Sequence, residues 1–116
     1  MKLYKKIMEY NFDLRYFNKK QKKIIEEGFK NNLSVDEIKI YAKPEFNHFQ
    51  MMEIMQGIIN GLTDYELEIL TNPMLSASEM KKIRNILENG YYNEDKIKEM
   101  IKNIIKEKIN YKNENF

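Results

Sequence analysis

Residues 18–46, NKKQKKIIEEGFKNNLSVDEIKIYAKPEF, and residues 47–75, NHFQMMEIMQGIINGLTDYELEILTNPML, decide the fold. Set one above the other, they agree at Asn18/Asn47, Gln21/Gln50, Ile25/Ile54, Gly28/Gly57, Asn31/Asn60, Leu33/Leu62, Ser34/Thr63, Glu37/Glu66, Ile40/Ile69 and Pro44/Pro73, always 29 residues apart. A third copy starts on schedule with Ser76, Glu79, Met80, Ile83, Leu87, Asn89 and Gly90 and then departs from the pattern, as a terminal unit often does. A fixed period of this length marks a repeat architecture, in which each unit is one supersecondary element that buries its apolar face against its neighbours.

Each unit reads as two helices. Asn18-x-x-Gln21, Asn47-x-x-Gln50 and Ser76-x-x-Glu79 are capping boxes, preceded by Phe17, Phe46 and Leu75 where a hydrophobic staple would stand. Apolar residues follow at helical spacing: Ile24, Ile25, Gly28 and Phe29, then Met51, Ile54, Met55 and Ile58, then Met80, Ile83, Ile86 and Leu87. Asn32, Gly61 and Gly90 stand where a left-handed residue ends such a helix. Ser34-x-x-Glu37 and Thr63-x-x-Glu66 are again capping boxes and open shorter helices, with Ile38, Ile40 and Tyr41 or Leu67, Ile69 and Leu70 facing inward. Pro44 and Pro73 stop these, because proline drives its predecessor out of the helical region.

In the third copy the second helix lengthens. From Asn93 onward Ile97, Met100, Ile101, Ile104, Ile105 and Ile109 form one apolar face, opposite Lys98, Glu99, Lys102, Lys106 and Glu107. Residues 2–11, with Leu3, Tyr4, Ile7 and Met8, read as an N-terminal helix, and residues 111–116 as a frayed tail. No segment alternates with period two for long enough to make a strand. The expectation is an all-α single domain over residues 1–116, a compact stack of helical hairpins with about seven helices and repeat units at 18–46, 47–75 and 76–110.

The rest of the composition bounds the function. The 116 residues are 42% hydrophobic and 33% charged, enough of each for one soluble core. With no cysteine and one histidine, thiol chemistry, thiolate metal sites and His-pair zinc sites are excluded. MKLYKKIMEYNF at the start has no apolar run of a signal peptide, and the longest uncharged stretch, within residues 54–63, is too short and polar to cross a bilayer. A cytoplasmic protein with no membrane partner is expected. There is no Gly-rich phosphate loop. His48 has no nucleophile or second ligand near it in sequence, and adjacent carboxylates such as Glu26/Glu27 diverge on a helix. The reading is no enzyme, with no catalytic residue, cofactor or metal.

Gln50, Met51, Ile54, Gly57, Gly61 and Leu62, together with YAKPEFNHFQM from Tyr41 to Met51, resemble a short helical repeat found in phage and conjugative-element proteins of low-GC bacteria. The resemblance covers roughly residues 17–90, and much of it is capped-helix grammar common to such hairpins. It implies a mobile-element origin and a binding role, and it transfers no catalytic residue. Lys22 departs from it, standing where later copies carry Met51 and Met80, which implies a looser core in the first unit.

The net charge of +2 is a cancellation of a basic beginning, an acidic middle and a basic end. The acidic middle comprises Asp36, Glu37, Glu45, Glu53, Asp64, Glu66 and Glu68. As a patch it would dock on a basic, nucleic-acid-binding surface of another protein; the plainer explanation is complementation of helix dipoles by first-turn carboxylates. Lys19, Lys20 and Lys23, with Lys81, Lys82 and Arg84, would contact phosphates or simply solvate a helix face. Met52 and Met55 take positions held by Lys23/Lys81 and Glu26/Arg84, so the 47–59 helix is apolar nearly all round. It is a covered central helix, an exposed Met-rich binding surface or a homodimer face. Residues 31–42 also resemble the first part of a helix-turn-helix, but the following helix has no Lys or Arg to read DNA. The leading expectation is a small protein-interaction module of a mobile element, in its most specific form a stoichiometric, anti-CRISPR-like inhibitor of a CRISPR effector or other host defence nuclease. The alternative is a DNA-binding helix-turn-helix-like regulator.

Overall fold

A computed structural model describes residues 13–114. One 3-10 turn, Leu14–Tyr16, leads into α1 (Lys19–Lys30), α2 (Val35–Tyr41), α3 (His48–Ile59), α4 (Asp64–Leu70), α5 (Ala77–Asn89) and α6 (Glu94–Glu114), with no strand among the described residues. The all-α expectation holds. The helix expected over residues 2–11 lies outside the described residues.

Local chemistry explains each boundary. All five expected capping boxes form, at Asn18, Ser34, Asn47, Thr63 and Ser76. In each, the cap side chain accepts from the backbone N–H three residues on, and that residue's side chain accepts in return from the cap N–H. Asn32, Gly61 and Gly90 take φ of 61°, 88° and 80°, the left-handed conformation that ends α1, α3 and α5. The short helices end sooner than their prolines alone require. Lys43 N–H donates to the Tyr41 carbonyl and Asn72 N–H to that of Leu70, at 2.8 and 2.9 Å, so a three-residue turn at Ala42 and Thr71 closes each helix. Pro44 and Pro73 then occupy the second position of a reverse turn closed by Phe46 N–H on Lys43 O and by Leu75 N–H on Asn72 O. At the other extreme, α6 runs past residue 110 through Glu114, because no Gly or Pro follows Gly90 to interrupt it.

The helices pack in a regular order. α3 sits between α1 and α5; α2 wedges against α1 and α3, and α4 against α3 and α5. The outcome is a slab of 48 × 39 × 17 Å. Its core holds Ile25, Ile38, Tyr41, Met51, Ile54, Leu70, Met80 and Ile83, none measurably exposed. The staple residues Phe17, Phe46 and Leu75 are buried as well. Ile86, expected inward, lies at the surface, and Ile40 and Ile69 are half-buried. Lys22 does not loosen the first unit: its side chain is exposed, while Ile24, Ile25 and Phe29 remain buried. Met51 and Met80 face a preceding hairpin at the same position, whereas α1 has no preceding unit among the described residues.

One side-chain amide recurs at the joints. Gln21 Nε2 donates to Phe46 O at 2.6 Å, and Gln50 Nε2 donates to Leu75 O at 2.7 Å. Each glutamine thus closes its own capping box through Oε1 and ties α1 to the start of α3, or α3 to the start of α5, through Nε2. The N-termini of α1, α3 and α5 are held side by side by this device. Replacing Gln50 by Leu leaves the Asn47 N–H and the Leu75 carbonyl without these partners. The expected loss is roughly 2–4 kcal/mol of unfolding free energy, read by urea denaturation.

Two glycines set the closest approach of the paired helices. A methyl group at Gly28 would lie 2.1 Å from the Tyr41 hydroxyl, which is buried and donates to Ile24 O at 2.8 Å. Burial pushes that hydroxyl well above the ordinary phenol value. At Gly57 the nearest atoms are methyls of Leu62 and Leu70, at 3.0 and 3.3 Å, which can yield. Gly28→Ala is expected to cost about 2–4 kcal/mol, and Gly57→Ala to stay within about 1 kcal/mol of wild type because helix propensity offsets the crowding. In a double-mutant cycle, Tyr41→Phe should recover part of the Gly28→Ala loss by removing the atom struck.

Candidate interaction surfaces

The solvent-facing stripe of α3 is largely apolar, interrupted by Gln56, which donates to the Asn60 side chain. Phe49 is 58% exposed, Met52 42% and Ile59 41%. At about 100° per residue the three fall within an arc of about 80°, so they share one face. Met55 lies roughly 60° beyond Met52 on the same count and is only 7% exposed. The expected Met52/Met55 surface is therefore corrected: Met55 belongs to the core, and Phe49 and Ile59 take its place beside Met52. His48, half-buried, stacks on Phe49 with ring centroids 3.9 Å apart.

Lysines frame this stripe. Successive long helices touch through their side chains: Arg84 bonds to Glu53, 31 residues before it, and Asn60 to Glu88, 28 residues after it. On the helices packed to either side of α3, Lys20 and Lys23 of α1 and Ser78 and Lys81 of α5 occupy the repeat positions of Phe49 and Met52, and Lys82 follows Lys81 in sequence. All four lysines are exposed, as is Lys19. Lys30 is the exception along α1, pairing with Glu26 at 3.3 Å.

Arg84 does not belong with these exposed cations. It is 8% exposed, bonded to Glu53 at 3.1 Å and to both oxygens of Glu88 at 2.8 and 3.0 Å. Its position faces α3 and corresponds to that of Met55, so its stem lies in the interface against Gly57. Burial works against its charge, but the two carboxylates outweigh burial and raise its pKa. The same bonds remove Glu53 from the expected acidic patch.

The remaining carboxylates divide. Asp36, Glu37, Asp64 and Glu68 surround a groove between α2 and α4, over Ile40, Leu67 and Thr71, with Lys43 at its edge. None of the four forms an ion pair among the described residues. Glu66 is engaged elsewhere, accepting from Thr63 N–H and from the Tyr92 hydroxyl at 2.7 Å, which hold its pKa below the usual carboxylate value. Glu45 is exposed on the proline turn. The sequence patch of seven resolves into one groove of four.

A third polar cluster was not foreseen. Where the first two units have glutamine, the third has Glu79, an acceptor only. Lys108 of α6 reaches it and also donates to Met74 O at 2.6 Å. At the other end of α6, Tyr65 donates to Glu94, which pairs with Lys98 at 3.1 Å and joins α4 to α6 through side chains. The sequence did hold a signal for the α3 stripe, in the outward positions of the three copies: Lys20/Phe49/Ser78 and Lys30/Ile59/Glu88. No comparable signal marks Lys108, which lies in the third unit beyond the stretch that matches the other two.

Among the described residues no group of three or more His, Asp or Glu could hold a metal, and no helix is long and apolar enough to cross a membrane. These features define a class, an all-α stack of capped helical hairpins with an apolar–basic face and an acidic groove. No protein-family model, curated protein or solved structure matches the chain.

Burial pushes the Glu79 carboxyl up, but Lys108 and the Ser76 N–H outweigh it and hold its pKa below the usual value. The contribution of this pair is present above the ordinary glutamate pKa and lost as pH falls through the lower folded value. Amide protection factors in the second half of α6, corrected for the intrinsic exchange rate at each pH, should therefore fall on acidification. Glu79→Gln, which keeps the acceptor for Ser76 N–H, should show low protection already at neutral pH and no further acid step.

Proposed function

We propose that the protein is a small helical protein-interaction module that acts by stoichiometric binding. The observation that carries this reading is the outward stripe of α3. Phe49, Met52 and Ile59 stand exposed in a row where the corresponding residues of α1 and α5 are polar. Large apolar side chains grouped at the surface of the central helix gain nothing for the fold and favour a partner that covers them. The resemblance of the repeat to phage and conjugative-element proteins agrees with a mobile-element origin and a binding role. Affinity capture from a host bacterial lysate should retain a protein in molar proportion to wild type. Phe49→Asp and Met52→Asp, both at exposed sites, should lose it while leaving the thermal transition unchanged.

The groove between α2 and α4 favours a more specific form of the same function. Four carboxylates without ion-pair partners suit a basic cleft of the kind nucleases use for nucleic acid, and an anti-CRISPR-like inhibitor would occupy such a cleft. Asp36→Lys with Asp64→Lys should then abolish inhibition of the captured nuclease. Against DNA recognition, α3 has α1 and α5 packed on either side and carries no Lys or Arg, whereas a recognition helix must enter the major groove and read it. A salt-sensitive gel shift on random duplex, lost in Lys20→Glu with Lys81→Glu, would favour the regulator instead.

A further inference from the structure

The face formed by α1, α3 and α5 has a pattern that specifies more than a generic partner. We propose that it binds an acidic amphipathic helix of a partner protein. The partner's apolar ridge would lie on Phe49, Met52 and Ile59, and its Asp or Glu flanks against Lys20, Lys23 and Lys81. This rests on the reading of the protein as a protein-interaction module and adds the chemistry of what it holds.

Four observations lead there. The stripe from Phe49 to Ile59 spans ten residues, about 15 Å, the length of nearly three turns of a docked helix. Exposures of 58, 42 and 41% mean that each side chain is about half covered by its own surroundings, so the stripe offers a shallow track and not projecting spikes. A convex helix fills such a track; a flat bilayer would meet the lysines first. The lysines crowd the N-terminal halves of α1 and α5, and α1 has no acidic residue in its first turn. The helix dipole disfavours cations there, so their placement serves something other than the helix. Finally, toward the C-terminal end the same face carries Glu88, already bonded to Arg84 and Asn60. The partner's acidic residues therefore belong over the Phe49–Met52 end.

Other occupants fit less well. A second copy using the same face would set lysines against lysines. Duplex DNA would satisfy the lysines but leave three apolar side chains against a charged backbone. An acidic amphipathic helix satisfies both sets at once, by the helix-in-groove mode.

The test is selection of random 14-residue helical peptides on a display scaffold against the full chain. The expected consensus has apolar residues at i, i+3 or i+4, and i+7, flanked on both sides by Asp or Glu. A synthetic peptide of that consensus should move the methyl resonance of Met52, leaving Met51 and Met80 in place. Met52→Asp, and Lys23→Glu with Lys81→Glu, should each weaken it at least tenfold with the thermal transition unchanged; Asp36→Lys with Asp64→Lys should not. Failure to enrich any peptide, or enrichment of sequences without acidic flanks, overturns the proposal. So does movement of Met52 with phosphatidylserine vesicles, random duplex or protein concentration and not with the peptide. The selection needs no host protein, so its failure and that of the lysate capture are separate results.

Discussion

The structure depends on a glutamine side chain that must satisfy both of its ends away from water. Gln21 and Gln50 are each almost fully buried, and a buried amide left half-bonded would be costly. The only arrangement that serves Oε1 and Nε2 together is one in which the cap of one helix sits beside the start of the next long helix. That requirement converts a local motif into a tertiary one. It holds successive long helices parallel and one repeat apart, and so decides which residues share a surface. The lysine-bearing helix α1 lies beside α3 with its start level with that of α3 because Gln21 holds the Phe46 carbonyl.

The array ends where this device changes chemistry. Glu79 preserves the capping acceptor but has no donor to extend toward a further unit. Its unsatisfied negative charge is met by Lys108, from the long helix that closes the stack. A second exchange occurs between α3 and α5. The space that Tyr41 fills against Gly28 in the first unit is partly taken, beside Gly57, by the stem of Arg84. An arginine there is buried and must bring its counter-ions, which accounts for Glu53 and Glu88. Such a pair gives little net stability after desolvation, and removing one partner alone is costly. Its consequence is geometric, fixing α5 against α3 with a directional bond where apolar packing would allow sliding.

What was legible in the sequence was whatever is decided within a few residues. Capping boxes, staples and left-handed helix ends are local, and each appears where the pattern puts it. The repeat extended that reach, because it shows which positions become neighbours without any fold being assumed. Legibility failed where a side chain's surroundings come from another element. Met55 and Met52 are three residues apart on one helix, yet only one is covered by the packing. Arg84 reads as one of three adjacent cations until its partners, 31 residues before and four after, are in place. The ends of α2 and α4 were nearly right for an incomplete reason, since proline forbids continuation but the turn at Ala42 or Thr71 chooses where to stop.

A central hairpin is also where binding can be added at least cost to folding. The inward faces of α3 are committed to four neighbours, and its caps to the glutamine ties. Its outward residues Phe49, Met52 and Ile59 remain exposed. Residues there can change from lysine to phenylalanine or methionine without altering one internal hydrogen bond, as comparison of α1 with α3 illustrates. Neighbouring units then supply a frame of charge that the central helix could not carry without diluting its own apolar stripe. Apolar attraction and charge selection are in this way assigned to different helices. Among the described residues the edge units lack that advantage, because each has a neighbouring hairpin on one side alone. The half-sunken stripe is thus a property of the stack, and a single hairpin excised from it would keep neither the helices on either side of α3 nor the partial cover they give Phe49, Met52 and Ile59.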